Sequence, residues 1–190
     1  MLNQEEILQL FQKRGALLEG HFKLTSGRHA GQYMQCAKIM QYPEDLAVLC
    51  RQLAEEFADM DINMVAGPAM GAIIMSYEMA RALGVTAVFA EREEDIMRFR
   101  RFQVGPGDKV LVVEDVVTTG GSLRDVIKAV QDCGAEVVAA GSLVDRSNGQ
   151  VDFGMPFHAL LQVNIDNFDA DNCPLCRKNL PLVKPGSRKI

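Results

Sequence analysis

Between residues 43 and 145 the apolar positions fall into two alternating rhythms. After Pro43, a residue suited to a helix's first turn, Leu46, Leu49, Cys50, Leu53 and Phe57 recur at helical spacing. A short apolar run over 62–66 follows and is broken by Gly67-Pro68. The pattern then predicts a helix over 70–83 closed by Gly84, and a strand over 85–90. Residues 91–103 are dense in charge and read as a loop or ribbon, and Pro106-Gly107-Asp108 as a turn. The run 109–113 is almost wholly apolar, as a strand covered on both faces should be. Leu123, Val126, Ile127 and Val130 share one face of a helix over 120–133, and Gly134 stands where a C-cap glycine belongs. Residues 136–144 and 159–165 are further strand candidates.

Strands alternating with helices imply an α/β fold, a central parallel sheet with right-handed crossovers and flanking helices. The ends lie outside this alternation. Asn3 and Glu6 have capping-box spacing ahead of Ile7, Leu8, Leu10 and Phe11, so a short helix ends near Gly15. Residues 21–37 read as extended or looped chain, a hairpin being one option. With no repeat or linker, residues 1–190 are expected to form one domain. Its core spans about 43–145, and a small cap from 1–40 and 145–190 covers the sheet's carboxyl edge.

Composition adds limits. At 190 residues, 48% hydrophobic and 24% charged, the chain has an ordinary globular balance, and folding should bury roughly 70% of its unfolded surface. A net charge of −5 and a pI of about 5.2 argue against a broad basic face, hence against nucleic acid as partner, and leave room for a local cationic pocket. No apolar run approaches the roughly 18 residues that span a bilayer. Glu5, Glu6 and Lys13 spoil any secretion signal, so the expectation is a cytoplasmic protein without a membrane partner. Cys36, Cys50, Cys133, Cys173 and Cys176 then read as reduced thiols. Cys173-Pro174-Leu175-Cys176 is a lone CxxC with no second pair nearby. It reads as a surface turn carrying two thiols; a metal site completed by a partner chain and a redox pair are the alternatives.

The chemistry concentrates at residues 110–122. A buried strand delivers Glu114 and Asp115 to the carboxyl edge of the sheet, where ligands of open parallel sheets bind. Thr118-Thr119-Gly120-Gly121-Ser122 follows, and then a helix begins. Unpaired N–H groups, glycines and hydroxyls suit a phosphate monoester there. The acids would repel that phosphate and suit ribose hydroxyls instead. The pattern is neither a Walker A loop nor a GxGxxG fingerprint. The plainer reading is that Asp115 or Thr118 merely caps the helix.

At these residues the chain resembles the type I phosphoribosyltransferases, whose hallmark is a hydrophobic strand, two acids and a threonine- and glycine-rich loop that holds 5-phosphoribosyl 1-diphosphate (PRPP). The resemblance implies PRPP along Glu114, Asp115, Val116, Val117, Thr118, Thr119, Gly120, Gly121 and Ser122. Three further stretches resemble the orotate branch of that superfamily: 21–29, containing Phe22-Lys23-Leu24-Thr25-Ser26-Gly27-Arg28 and followed by Tyr33; Val144-Asp145-Arg146; and 66–83, the region of its pyrophosphate loop. The tail over 173–188 is similar to one found in some bacterial and archaeal members.

That resemblance implies transfer of the phosphoribosyl group to N1 of orotate, giving orotidine 5′-phosphate and diphosphate on the route to UMP. Orotate is a planar anion, for which Arg146 offers a planar fork, with Thr118, Lys23, Arg28 and Tyr33 as further contacts. Mg²⁺ is implied near Asp115, held mostly by ligand oxygens and water. A homodimer is implied too. The chain departs from the family where lysines are usual: Thr25 replaces one and Met70 another, and residues 91–101 hold four arginines among four acids with no lysine or histidine. One or more of Arg98, Arg100 and Arg101 is expected to cover the leaving diphosphate. The competing readings are a purine or uracil phosphoribosyltransferase, which the Ser-Gly-Arg stretch and Val144-Asp145-Arg146 oppose, and a PRPP-sensing regulator that binds nucleic acid, which the acidic balance opposes.

Overall fold

Asn3 starts the first helix as its side chain dictates. Its Oδ1 accepts from Glu6 N at 2.9 Å while the Glu6 carboxylate accepts from Asn3 N at 2.8 Å, and α1 (Gln4–Lys13) buries Ile7 and Phe11. In the computed structural model, which describes residues 1–24 and 26–185, the 21–37 stretch is a hairpin. Its strands, β1 (Leu17–Lys23) and β2 (His29–Met34), pair antiparallel. A one-turn helix α2 (Ala37–Met40), unforeseen in the sequence, leads into α3 (Pro43–Glu55). There follow β3 (Met64–Pro68), α4 (Ile73–Leu83), β4 (Thr86–Glu93), β5 (Ile96–Arg98), β6 (Lys109–Val117), α5 (Gly121–Asp132), β7 (Glu136–Asp145) and β8 (Phe157–Gln162). The chain closes with β9 (Asn167–Phe168), a 3₁₀ turn over Ala170–Asn172 and α6 (Pro174–Arg177). Thr25 and the end of the 173–188 tail lie outside the described residues.

The main sheet runs β5-β4-β3-β6-β7-β8, all parallel except β5, which turns back on β4. Strand alternation splits β6 between two cores. Leu111 and Val113 pack with Leu49 and Leu53 of α3 and Met75 and Met79 of α4, whereas Val110 and Val112 pack with Leu123, Val126 and Val130 of α5. Each such fully buried aliphatic side chain contributes roughly 1.5–3 kcal/mol, so this strand is firmly held up to the acids.

Several boundaries differ from the sequence reading, each for a physical reason. Gly67-Pro68 does not break the third strand but completes it: a Cβ on Gly67 would lie 2.9 Å from Val113 O, so only glycine lets α4 and β6 close there. Helix α4 begins at Ile73 rather than 70, because residues 69–72 are used in a tight turn in which Ala72 N donates to Pro68 O. β6 continues to Val117 because its ladder to β7 is a backbone matter, indifferent to acidic side chains. The segment after 145 is divided: β8 joins the main sheet beside β7, and only later residues reach the cap. That cap is the sheet β1-β2-β9, with Val183 N and O bonded to His21 O and Lys23 N along β1. No helix among the described residues is long and apolar enough to cross a membrane.

Candidate active site

The end of β6 and the start of α5 enclose a cavity of about 60 Å³ lined by Glu114 and residues 116–123. Gly120 makes the turn possible. Its φ of 76° is left-handed, and a Cβ there would meet Val151 and the Phe153 ring at 3.0 Å. Helix α5 starts with no side-chain cap. Asp115 and Thr118 therefore do not play the plain capping role. Asp115 Oδ1 instead accepts from Val116 N at 2.9 Å. The first N–H groups of α5 are left facing the cavity's loop, beside the exposed Thr118, Thr119, Gly121 and Ser122. Val116 and Val117, expected in the loop, belong to the strand and pair with Val144 and Asp145.

Glu114 is only 8% exposed, and Asp115 N approaches its Oε1 at 3.3 Å. Burial first, and then the charge of Asp115, pushes the Glu114 carboxyl up to about 8. Burial also raises Asp115. Two adjacent carboxylates thus sit where water cannot fully solvate them, which makes them strong acceptors for hydroxyls or a cation. Around them the fold collects residues that sequence reasoning overlooked. The buried Cys36 thiol lies 3.8 Å from Asp115 O, and a Cβ on Gly71 would lie 3.5 Å from Asp115 Oδ1. Neither carries a motif: Cys36 precedes the unforeseen α2, and Gly71 belongs to the turn that shortens α4.

Arg146 N donates to Val117 O at 2.8 Å, which sets this residue beside the start of the Thr118 loop. Its Nε is buried and has no hydrogen-bond partner among the described residues, and burial lowers the pKa of the guanidinium, partly offset by Cys36 and Tyr33. A desolvated, incompletely bonded guanidinium is a receptor for a planar anion. Tyr33, half-buried and tilted against Phe22 at 5.8 Å between rings, stands close enough to act on it.

Other expected contacts are not brought to this point. Lys23 pairs with His29 at the far end of the hairpin, four residues or roughly 13 Å along β2 from Tyr33. Arg28 is committed to the cap: its Nη1 bonds Asp169 at 2.5 Å and its Nη2 donates to Asn167 O at 2.9 Å. It forms an exposed ion pair there, so reaching orotate would require giving up both partners. The arginine stretch is an ordered ribbon of β4 and β5, turning at Glu94 and Asp95 with φ of 47° and 66°. Arg98 and Arg100 lie 3.6 and 3.5 Å from Glu93, and Arg101 2.8 Å from Glu91. Because β4 is parallel to β6 and two strands away, the ribbon rises from the same sheet edge as the cavity, about 10 Å to one side.

Comparison with known proteins supplies the family. Residues 36–170 match the model of the phosphoribosyl transferase domain. The orotate phosphoribosyltransferase of Carboxydothermus hydrogenoformans is 58% identical over 187 residues, 97% of this chain and 98% of that one. That of Pelotomaculum thermopropionicum is 55% identical over the full length of both. Among solved structures, Mycobacterium tuberculosis orotate phosphoribosyltransferase in complex with inorganic phosphate aligns with a TM-score of 0.69 at 28% identity, covering 84% of this chain and 95% of that one.

Proposed function

The chain belongs to the phosphoribosyl transferase family, and within it to the orotate phosphoribosyltransferases; on that premise we propose that it binds PRPP along residues 114–122 and orotate between Thr118 and Arg146. The enzyme moves the phosphoribosyl group of PRPP to orotate in pyrimidine biosynthesis. The observation that carries the residue assignment is the uncapped start of α5, one short loop away from two buried acids.

The 5′-phosphate sits on the N–H groups of Gly121 and Ser122 and the hydroxyls of Thr118, Thr119 and Ser122, where the helix end attracts negative charge. Glu114 and Asp115 accept from the ribose hydroxyls and oppose any phosphate that would bind out of register. Their negative charge also favours the sugar as positive charge builds at its anomeric carbon. Arg146 holds the orotate anion, Tyr33 and Thr118 flank it, and N1 of the base faces the anomeric carbon. Orotate's N1 is acidic enough to need no protein base. Arg98, Arg100 or Arg101 swings from its acidic partner to cover the diphosphate and keep water out.

The donor set suits Mg²⁺. Glu114 and Asp115 are neighbouring carboxylates whose charge burial disfavours, and a hard divalent cation relieves that cost. Bound with PRPP near Asp115, Mg²⁺ would neutralise part of the leaving diphosphate's charge. The proposed assembly is a homodimer, supported by Met70, Ile74 and Tyr77, which stand 84%, 53% and 66% exposed along the start of α4. The proposed compartment is the cytoplasm, in keeping with five free thiols.

Product formation from PRPP with orotate, uracil and adenine, each with and without Mg²⁺, tests the substrate and cation assignments. Orotate alone should be consumed, and only with the cation. Asp115→Asn should lower turnover by about 10²-fold or more; near wild-type turnover would remove the role given to that carboxylate.

A further inference from the structure

Away from this site, His21, His29, Cys173 and Cys176 converge in the cap. One ligand-capable atom from each lies within 4.8 Å of all the others. His21 Nε2 is 3.0 Å from His29 Nδ1, 3.5 Å from Cys173 Sγ and 3.7 Å from Cys176 Sγ, and Cys176 Sγ is 3.3 Å from His29 Nδ1. A tetrahedral ion with the usual Zn–N and Zn–S lengths would set nitrogen pairs about 3.4 Å apart, nitrogen and sulfur about 3.6 Å apart and sulfur pairs about 3.8 Å apart. The four atoms already stand near the corners of that polyhedron.

The surroundings agree. Both histidines and Cys173 are buried, with Cys176 closing the outer side. His21 Nδ1 lies 2.9 Å from Leu180 O, a contact that requires the proton on Nδ1 and so leaves Nε2 bare toward the cluster. A hydrogen bond between the two rings would explain one contact but not why two sulfurs gather at the same point. A redox pair would explain the sulfurs but not the histidines.

We propose that these side chains form a Cys₂His₂ site for Zn²⁺, which fastens the β1–β2 hairpin to the C-terminal tail. The thiolate and imidazole donors select zinc over the magnesium suited to the acid pair. The role is structural: all four positions are taken by protein, leaving none for substrate. The site also replaces the reading of the CxxC as a surface turn. Its partners are histidines on two strands, separated by a turn, so no second cysteine pair was there to be found.

The test uses the untagged full-length chain purified without chelator. Elemental analysis should find about one zinc per chain in the wild type and in Cys133→Ser, and a stoichiometric loss in the Cys173→Ser/Cys176→Ser double variant. Because that variant can fail to fold, the wild-type chain is also stripped and titrated with Co²⁺. Intense visible absorption of tetrahedral cobalt with thiolate charge transfer, saturating at one equivalent and displaced by Zn²⁺, is expected. A wild-type chain free of zinc that gives no such cobalt spectrum overturns the proposal. So does a Cys173–Cys176 disulfide in the native protein, found by mass spectrometry.

Discussion

Gly120 lies under the ring of Phe153 so closely that a Cβ on it would come within 3.0 Å of two ring carbons. The same glycine holds a left-handed φ of 76° and starts α5. Gly120→Ala therefore meets both backbone strain and a steric wall. It should lose roughly 1–3 kcal/mol of stability, measured by urea denaturation. PRPP affinity, measured calorimetrically, should fall as well, because the first N–H groups of α5 would be re-aimed. Unchanged PRPP binding would detach this helix start from the phosphate.

Glu114 makes stability depend on pH in an unusual direction. Its carboxyl is pushed from 4.5 up to about 8 in the fold, chiefly by burial and then by Asp115. Between those values the folded chain keeps a proton that the unfolded chain has released. Folding is thus favoured at the acid end of that window and weakens as pH rises through it. Glu114→Gln should flatten this fall in a thermal-melt series from about pH 5 to about pH 8. Parallel melting profiles in the two proteins would mean that Glu114 titrates normally.

The ribbon arginines can be ranked by what holds them. Arg98 and Arg100 share one carboxylate, Glu93, at 3.6 and 3.5 Å, whereas Arg101 makes two bonds to Glu91 at 2.8 and 3.2 Å. The loosely held pair is freer to reach a diphosphate. Arg98→Ala or Arg100→Ala should lower kcat by roughly tenfold or more, equivalent to about 1.4 kcal/mol. Stability should hardly change, because exposed ion pairs contribute at most about 1 kcal/mol. If all three alanine variants, Arg101→Ala included, keep the wild-type steady-state rate, the ribbon has no catalytic part.

Arg146→Lys separates charge from shape. Lysine keeps the positive charge but loses the planar fork. KM for orotate should rise about 10- to 100-fold, the scale of a lost charged hydrogen bond, while KM for PRPP holds. Initial rates over a range of orotate at saturating PRPP provide the check, and an unchanged KM for orotate would reassign Arg146.

How far the sequence could be read depended on how local each determinant is. The helix under Asn3, the amphipathic α5 and the buried run of β6 are set by capping and periodicity within one segment, and all were legible. So was the run from Glu114 to Ser122, because its acids, hydroxyls and glycines are contiguous. The turn ahead of α4 was not, since Gly67 is glycine on account of Val113 and Ser76, residues that periodicity cannot connect to it. Nor could the sequence show that Arg28 bonds Asp169 and Asn167, which stand 141 and 139 positions away. The histidines beside Cys173 and Cys176 were hidden for the same reason: His21 lies 152 and 155 positions from those two cysteines, and His29 147 from Cys176.

The cap also sets an order of events at the ribosome. β2 carries Tyr33 toward Arg146, yet its outer neighbour β9 and the Val183 pairing come from the last part of the chain. Closing loops of this length is slow and cannot begin before the later partner is synthesised. The loop after β6, with β6 and α5 themselves, can therefore be complete while the cap sheet is still open. A chain cut short before β9 would keep the strand-and-helix unit around Glu114 while its N-terminal hairpin lacked both outer partners.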